Sequence, residues 1–318
     1  MARVLTNDFS WSKSRHEKLS ECLRAYYLYY YASWGGWDRE APETARSLYV
    51  LKKLHNRYTW AGSVVHETIR EALLHLQRKR DVDGNVFIER AHRQMQQDFR
   101  LSRNKIYWSE RLRKQFNGLI EHEYNEPVPP DAWKQNWENV KQALSWFFQS
   151  RWVPLAKNLP RDQWLEVDET DFDRSIFQLD GVKVFAVPDF AYFNDAGTPV
   201  VVDWKTGKAR EGYDDQVLGY ALYLSSRYNL DAQKVQTSLV YLNDGVEQLV
   251  HVTPESLEKF RGHFRTSVEK MRQLLQDAGS NQPKEQDKFP MTESLHNCSR
   301  CVFRRACGRE AVELGKVA

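Results

Sequence analysis

The chain has 318 residues, of which 41% are hydrophobic and 28% charged, and its net charge is +3. This length accommodates one large domain or two small ones, and so small a net charge does not by itself indicate a nucleic-acid binder. The sequence contains no run of about eighteen apolar residues and begins with a polar, mixed segment. It therefore predicts neither a transmembrane helix nor a secretory signal, and a cytoplasmic protein without a membrane partner is expected.

The first predicted element is a tyrosine-rich helix. A capping-type start at Asp8–Ser12 leads into a helical stretch that carries Cys22 and tyrosines at positions 26, 27, 29, 30 and 31. At helical spacing most of these tyrosines are expected in a core or an interface, although aromatic side chains can also stack on bases.

The next predicted helix follows Gly62 and carries His66 at the border of an apolar stripe that includes Ile69 and Leu73. A lone histidine in such a position is usually a core residue with its hydrogen bonds satisfied, so the pattern alone assigns it no function. Residues 81–162 are predicted to be mainly helical, with a break at Asn125–Pro130 and no motif that carries chemistry.

From Gln163 onward the hydrophobic period changes to that of strands. An antiparallel meander with a turn at Asp180-Gly181 is predicted, and a helix, a strand pair and a further helix follow it. The predicted meander strands are Trp164–Phe172, Ser175–Leu179, Val182–Phe193 and Thr198–Trp204. The later elements are Gly212–Tyr228, Thr237–Leu242, Val246–Val252 and Pro254–Ala278.

Charged side chains emerge from two of these strands. Alternation along the last meander strand puts Asp203 and Lys205 on one face and Trp204 on the other. Asp189 follows Pro188 in an otherwise apolar row, where a buried carboxylate must be paired or coordinated. Two carboxylates on adjacent strands can hold a divalent cation that polarises a phosphate, and a lysine can orient the attacking water. The pattern indicates phosphodiester hydrolysis.

These residues resemble the PD-(D/E)XK nuclease superfamily. The match rests on Pro188-Asp189 followed by Asp203-Trp204-Lys205, while Gln216-x-x-x-Tyr220 is similar to the additional motif of its RecB-like branch. Gly62-x-x-x-His66 stands where a helix of that branch supplies a histidine. The resemblance implies an α/β fold with a restriction-endonuclease-like core, in which helices flank a mixed central sheet.

The resemblance also implies a role for each matching residue. Lys205 would be catalytic, and Gln216 and Tyr220 would contact the substrate backbone or support the site. Ala186 departs from the glycine that the branch often has there, and either Glu166 or Glu169 could also face the site. The implied ligands of Mg²⁺ or Mn²⁺ are His66, Asp189, Asp203 and the backbone carbonyl of Trp204.

The four cysteines form a second candidate site. Three of them lie within ten residues, and in a reducing compartment this spacing favours metal ligands over disulfides. The pattern is similar to that of iron-sulfur nucleases from CRISPR adaptation and from AddB-type helicase-nuclease subunits, which implies a [4Fe-4S] cluster joining the two ends of the chain. A four-cysteine zinc site is the alternative. The cysteines are Cys22, Cys298, Cys301 and Cys307, and the arginines around them, expected to face phosphates or solvent, are Arg300, Arg304, Arg305 and Arg309.

The chain is interpreted as a single nuclease domain, 1–318, with a helical insertion and a C-terminal iron-sulfur staple. Its predicted parts are an N-terminal segment with the first cluster cysteine (1–60), a core helix (61–80), the helical insertion (81–162), the catalytic sheet and helices (163–278) and the C-terminal cluster segment (279–318).

The expected activity is that of a Mg²⁺- or Mn²⁺-dependent deoxyribonuclease, an exonuclease or endonuclease that acts on single strands or duplex ends in DNA repair, recombination or CRISPR-type defence. No Gly-x-x-x-x-Gly-Lys-[Ser/Thr] loop is present, so the chain is not expected to unwind DNA alone, and a helicase or defence-complex partner fits this reading. One alternative is a catalytically vestigial nucleic-acid-binding or scaffold subunit of a larger complex. Another is an iron-sulfur electron carrier, in which Asp203 and Lys205 would have no purpose.

Overall fold

The computed structural model describes residues 6–109, 118–168, 175–208 and 213–310. Two compact units make up the chain. We call Met1–Arg57, Asp98–Pro127 and Arg265–Ala318 the cysteine unit, and Tyr58–Gln97 with Val128–Phe264 the sheet unit. No helix in the described ranges is long and apolar enough to cross a membrane.

The described helices alternate with short turns. A π-helical turn spans Leu28–Ala32, and 3₁₀ turns span Ile106–Trp108, Arg161–Gln163, Ala232–Lys234 and Gln286–Lys288. The α-helices are α1 (Lys13–Glu21), α2 (Leu23–Tyr27), α3 (Glu43–Lys52), α4 (Arg57–Gln77), α5 (Gly84–Arg103), α6 (Ile120–Glu123), α7 (Pro130–Gln149), α8 (Trp152–Asn158), α9 (Tyr213–Tyr228), α10 (Pro254–Gln273) and α11 (Leu295–Ser299).

The described strands are short, apart from one in the middle of the main sheet. They are β1 (Ser10–Trp11), β2 (Trp164–Glu166), β3 (Ile176–Leu179), β4 (Val182–Phe185), β5 (Phe190–Phe193), β6 (Pro199–Lys205), β7 (Gln236–Tyr241), β8 (Val246–Val250), β9 (Leu275–Asp277) and β10 (Gln282–Pro283).

A five-stranded sheet in the order β2-β5-β6-β7-β8 forms the centre of the sheet unit. Strands β6 and β7 are parallel, and the other neighbours pair antiparallel. The parallel pair needs a crossover, which α9 supplies between the two strands. A mixed sheet flanked by helices is therefore confirmed, and its layout is that of a restriction-endonuclease-like α/β core.

The predicted four-strand meander is wrong in two respects. The first strand, predicted over Trp164–Phe172, ends at Glu166, and positions 169–172 lie outside the described residues. The run from Val182 to Phe193 forms two strands, because Pro188 has no backbone N–H to donate and lies between them. Strand β4 pairs with β3 as a hairpin, while β5 pairs with β2 and β6 in the main sheet. The predicted start of the following helix, Gly212, lies outside the described residues.

Strand β6 is buried along its whole length. The ring of Trp204 packs edge-on against Phe147 of α7 at 5.5 Å and Trp152 of α8 at 5.2 Å between ring centroids. On the other face, Asp203 and Lys205 meet side chains of α9. The alternation predicted for this strand is confirmed, and both of its faces are covered.

The predicted helix Pro254–Ala278 ends earlier than expected. Helix α10 stops at Gln273, and β9 then pairs antiparallel with β10. The Asp277 side chain accepts hydrogen bonds from the N–H groups of Gly279 and Ser280. This side-chain turn closes the β9–β10 hairpin, which takes the place of the last predicted helical residues.

The cysteine unit has a core of its own. Its buried cluster includes Leu51, Tyr107 and Phe303, and Cys22, Cys301 and Cys307 pack against that cluster. Among the tyrosines expected in a core, Tyr26 and Tyr31 are buried, and both hydroxyl groups accept hydrogen bonds from the buried guanidinium of Arg15. The tyrosine-rich segment therefore packs around the buried guanidinium of Arg15 and does not form a purely apolar core face.

Candidate active site

Asp189 stands where two strands of the main sheet stop being paired. Strand β5 begins at Phe190, opposite Val202, so the next N–H of β6 on that side, from Trp204, has no strand partner. The Asp189 carboxylate takes that place, and its Oδ2 accepts the Trp204 N–H at 2.7 Å. Because the N–H and C=O of one strand residue point toward the same neighbour, the Trp204 carbonyl also lies on the side of Asp189.

His66 approaches the same carboxylate from α4. Its Nδ1 lies 3.1 Å from Oδ1 of Asp189. One turn earlier in the helix, a Cβ on Gly62 would come within 3.2 Å of the Thr206 hydroxyl, so the glycine allows α4 to lie close to the end of β6. Burial lowers the pKa of His66, but the charge and hydrogen bond of Asp189 outweigh it and raise the pKa to about 9.

Asp203 is the most deeply buried acid of the group, with 1% of its surface exposed. Its Oδ2 lies 2.5 Å from Nζ of Lys205. Burial and then the neighbouring charge of Asp189 raise the pKa of Asp203 to about 6, although the Lys205 ammonium opposes them. A buried carboxylate whose pKa is raised by a neighbouring carboxylate is poised to accept a cation.

Four side chains close a hydrogen-bonded ring on this face. Lys205 donates from Nζ to Oε1 of Gln216 at 2.8 Å, and Nε2 of Gln216 donates to the Tyr220 hydroxyl at 2.6 Å. The Tyr220 hydroxyl in turn donates to Oδ1 of Asp203 at 3.3 Å. Burial raises the pKa of Tyr220 well above its usual value, so the hydroxyl stays a neutral donor. The i, i+4 pair on α9 therefore connects the lysine to the acid.

One acid near the site was not among the predicted residues. Asp168 follows β2, and its charge acts on both His66 and Asp189. Burial and then Asp189 raise the pKa of Asp168 to about 6. The N–H of Asp168 donates to the carbonyl groups of Pro188 and Asp189. The carbonyl oxygen of Asp168 accepts a hydrogen bond from Nε of Arg70. The sequence did not single it out, because Asp168 fell inside the strand predicted over Trp164–Phe172, whereas β2 ends at Glu166.

The glutamates considered upstream have different outcomes. Glu166 accepts hydrogen bonds from the Tyr223 and Tyr228 hydroxyl groups and pairs with Arg227. It therefore ties β2 to α9 and does not belong to the group around Asp189. Glu169 lies outside the described residues.

The donor set suits a hard divalent cation. One imidazole, two carboxylates and a backbone carbonyl are oxygen-rich, as Mg²⁺ and Mn²⁺ prefer. Oδ2 of Asp203 is buried, and the Lys205 ammonium at 2.5 Å engages one of its lone pairs and leaves another for a metal. In the described ranges no three His, Cys, Asp or Glu side chains are already gathered closely enough to hold one ion.

All four cysteines belong to the cysteine unit and are free thiols, and among the described residues they are not gathered into a group that could already hold one metal ion. The two chain ends are joined there, because the N–H of Arg24 donates to the Pro290 carbonyl and the Asn297 amide donates to that of Glu21. Burial raises the pKa of the Cys301 thiol to about 11 and also raises that of Cys307, on which the charges of Cys22 and Cys298 act as well.

Three of the sulfurs accept hydrogen bonds. The Thr292 N–H donates to Sγ of Cys22 and the Phe303 N–H to Sγ of Cys301, both at 3.4 Å. A guanidinium nitrogen of Arg309 donates to Sγ of Cys298 at 2.9 Å. Donors aimed at sulfur are the surroundings that metal-bound thiolates require.

The arginines around these cysteines were predicted to face phosphates or solvent, and this prediction does not hold for all of them. Arg304 is buried, pairs with Glu126 and donates to the Ser299 carbonyl. Arg305 pairs with Glu123 at 2.6 Å. The buried guanidinium of Arg304 needs a carboxylate, which Glu126 supplies, whereas Arg305 is exposed as well as paired. Arg300 remains exposed.

A mixed sheet flanked by helices, with one aspartate ahead of β5 and an Asp-x-Lys end on β6, defines the class of restriction-endonuclease-like α/β proteins. The chain belongs to the PD-(D/E)XK nuclease superfamily, whose family model matches residues 10–308. Membership implies a nuclease, a hydrolase that binds nucleic acid. A comparison with curated proteins gives no significant match.

Proposed function

We propose that this protein is a metal-dependent deoxyribonuclease of the RecB-like branch that hydrolyses phosphodiester bonds of single-stranded DNA or duplex ends. The observation that carries the proposal is the meeting of His66, Asp189, Asp203 and Lys205 at the end of β6. The carbonyl of Trp204, which lies on the same side of β6 as the N–H bonded to Asp189, would complete an oxygen-rich ligand set.

The site residues have distinct proposed roles in metal binding, catalysis and positioning. The metal, Mg²⁺ or Mn²⁺, would be held by His66, Asp189, Asp203 and the Trp204 carbonyl. When bound, it would neutralise negative charge on the phosphate and lower the pKa of a bound water. Lys205 is the catalytic cation, and Gln216 fixes its ammonium where it can orient that water or contact a phosphate oxygen. Gln216 and Tyr220 act as positioning residues, since both are engaged within the ring.

In the same proposal, Cys22, Cys298, Cys301 and Cys307 hold a [4Fe-4S] cluster, with zinc as the alternative. Support comes from four free thiols in one unit and from hydrogen-bond donors to three of the sulfurs. Anaerobically purified protein should show visible iron-sulfur absorbance with iron and sulfide. Colourless protein with stoichiometric zinc would instead establish the zinc site.

The wider role is proposed on the same basis. The chain serves as one nuclease domain in DNA repair, recombination or CRISPR-type defence, alongside a helicase or defence-complex partner that supplies unwinding. End-labelled single-stranded DNA, duplex DNA and RNA, each incubated with the protein and Mn²⁺, would separate exonuclease from endonuclease action and DNA from RNA as the substrate.

A second candidate is a vestigial subunit that binds nucleic acid without cutting it. One observation favours it: His66 is hydrogen-bonded to Asp189, and Lys205 forms an ion pair with Asp203, so each acid has a partner within the protein. A metal-dependent nuclease must exchange these contacts for metal bonds, and a vestigial site has no need to.

Lys205→Ala tests the proposal directly. Loss of the ammonium should reduce cleavage by about 10²- to 10⁴-fold, the usual contribution of such a group, while the fold and any visible cluster are retained. Lys208→Ala, an exposed lysine three residues on, is the matched control and should cut normally. Full activity of Lys205→Ala, or wild-type cutting that persists in EDTA, would contradict the nuclease mechanism.

Asp168→Asn tests whether the additional acid supports the metal. Its charge acts on His66 and Asp189, so its removal should weaken activation by Mn²⁺ by about 10- to 100-fold, as for other groups behind metal ligands. Asp162→Asn, an exposed acid on the preceding turn, should leave activation unchanged. Equal Mn²⁺ activation in both variants would exclude Asp168 from the site.

A further inference from the structure

Arg309 lies against the four-cysteine site in a way that differs from its neighbours. The same guanidinium nitrogen donates to Sγ of Cys298 at 2.9 Å and to the carbonyl oxygen of Thr292 at 2.7 Å. The N–H of Thr292 donates to Sγ of Cys22. One arginine therefore connects a cysteine near the C-terminal end with the backbone segment that binds the cysteine near the N-terminal end.

The electrostatic surroundings of Arg309 are also those of the sulfurs. Arg309 donates to Sγ of Cys298, and it also interacts electrostatically with Cys307 and Cys22. Arg304 and Arg305 are different, because both pair with glutamates of the segment 118–126. Arg309 thus directs its positive charge at sulfur.

We propose that Arg309 is the charge partner of the four-cysteine site, where it stabilises the metal-loaded form and favours the reduced state of an iron-sulfur cluster. The inference rests on the cysteine site of the proposed function and not on the nuclease activity. Metal ligation requires cysteines as thiolates, so four of them concentrate negative charge in a partly buried place. A guanidinium in direct contact offsets that charge, and a cluster gains one further negative charge on reduction.

The experiment compares full-length protein, purified anaerobically, as wild type, Arg309→Gln, Arg309→Lys and Arg300→Gln. Glutamine keeps a hydrogen-bond donor and removes the charge, lysine keeps the charge, and Arg300 is an exposed neighbour. Two quantities are measured: retention of the metal against a chelator, and the midpoint potential of the cluster by redox titration. Circular dichroism reports the fold of each variant.

Arg309→Gln should retain metal about 10- to 100-fold less well than wild type, as expected when a group behind metal ligands is lost. Its midpoint potential should become more negative, and a tenfold loss of the reduced form corresponds to about 59 mV for a one-electron couple. Arg309→Lys should lie near wild type in both measurements, and Arg300→Gln should match it.

Equal retention and equal potential in Arg309→Gln and wild type would overturn the proposal. If metal-loaded Arg309→Gln does not fold, circular dichroism of its metal-free form provides the test. A normal fold of the metal-free form, lost only when metal is added, would support the charge role. Misfolding of both forms would overturn the proposal. If the wild type holds zinc, the cluster proposal fails, and zinc retention alone tests Arg309. An absence of DNA cutting in the wild type would contradict the nuclease proposal and leave these comparisons intact.

Discussion

At Asp189 one carboxylate contacts two different elements. Its Oδ1 meets His66 of α4, and its Oδ2 holds the Trp204 N–H at the point where β5 no longer pairs with β6. A single residue therefore aligns the helix with the strand end, besides its proposed role as a metal ligand. Asp189 thus has a structural role, in connecting α4 to the end of β6, as well as its proposed chemical role.

Tyr220→Phe tests the closed ring at the scale of one atom. Loss of the hydroxyl leaves Oδ1 of Asp203 and the Gln216 amide without this partner in a buried place, which should cost about 1–3 kcal/mol of unfolding free energy. Because Lys205 is held through Gln216, kcat for DNA cleavage should also fall by about 10- to 100-fold. Urea unfolding and steady-state cleavage measure the two effects.

Tyr223→Phe is the matched control for that variant. Tyr223 lies on the same helix and loses a hydrogen bond to Glu166, outside the ring. It should therefore lose similar stability and keep its kcat. An equal fall of kcat in both variants would show that the ring does not position the lysine.

At the scale of elements, the short segment 118–126 supports the cysteine-bearing chain, a role that was not predicted for the helical insertion to which it was assigned. Glu123 and Glu126 pair with Arg305 and Arg304, and the Tyr124 hydroxyl donates to the Val302 carbonyl. These contacts hold the chain between Cys301 and Cys307. Helix α6 and its flanks thus support the cysteine site, although they carry no metal ligand themselves.

Glu126→Ala tests this support. It leaves the Arg304 guanidinium buried without its carboxylate, which should cost about 3–5 kcal/mol of unfolding free energy. Glu310→Ala breaks an exposed pair with Arg305 and should cost under about 1 kcal/mol. Urea unfolding of both variants makes the comparison, and similar small losses would indicate that the segment does not hold the cysteine-bearing chain.

For the whole molecule, each unit is assembled from separate pieces of chain. The cysteine unit combines three pieces and contains both chain ends, and the sheet unit combines two. Their cores therefore depend on contacts between residues far apart in sequence, which are formed at the expense of loop-closure entropy. Stability of such units responds to buried groups on any of their pieces.

His122 provides a pH-dependent test of that stability. Burial, and then the charges of Arg103 and Lys105, lower the pKa of His122 to about 4, whereas an unfolded histidine titrates near about 6.5. The unfolded chain therefore binds more protons below about pH 6.5, and stability is lost as the pH falls from there toward about 4. The side chain is only partly buried, so solvent screening reduces the effect.

The measurement compares the melting temperature at about pH 7 and about pH 5 for wild type, His122→Gln and His251→Gln. His122→Gln should lose less stability than wild type between these pH values, because its side chain does not titrate. His251 is exposed, so His251→Gln should follow the wild type. An unchanged pH dependence in His122→Gln would show that another group controls it.

What the sequence determined by itself was local. Alternation along β6 placed Asp203 and Lys205 on one face and Trp204 on the other, and helical spacing put Gln216 beside Tyr220, because strand and helix periods depend only on neighbouring residues. The resemblance to the PD-(D/E)XK superfamily rested on the same short stretches and implied the mixed α/β core, and membership of the superfamily and the core are both confirmed.

What only the tertiary structure decided was which distant groups meet. Asp168 lies near His66 while Glu166 turns to α9, and Arg304 pairs with Glu126 instead of facing solvent. A buried charge takes whatever partner the folded chain brings to it, since leaving it unpaired is costly, and no local spacing encodes that partner. The faces of each element were therefore predictable from sequence, and the partners across those faces were not.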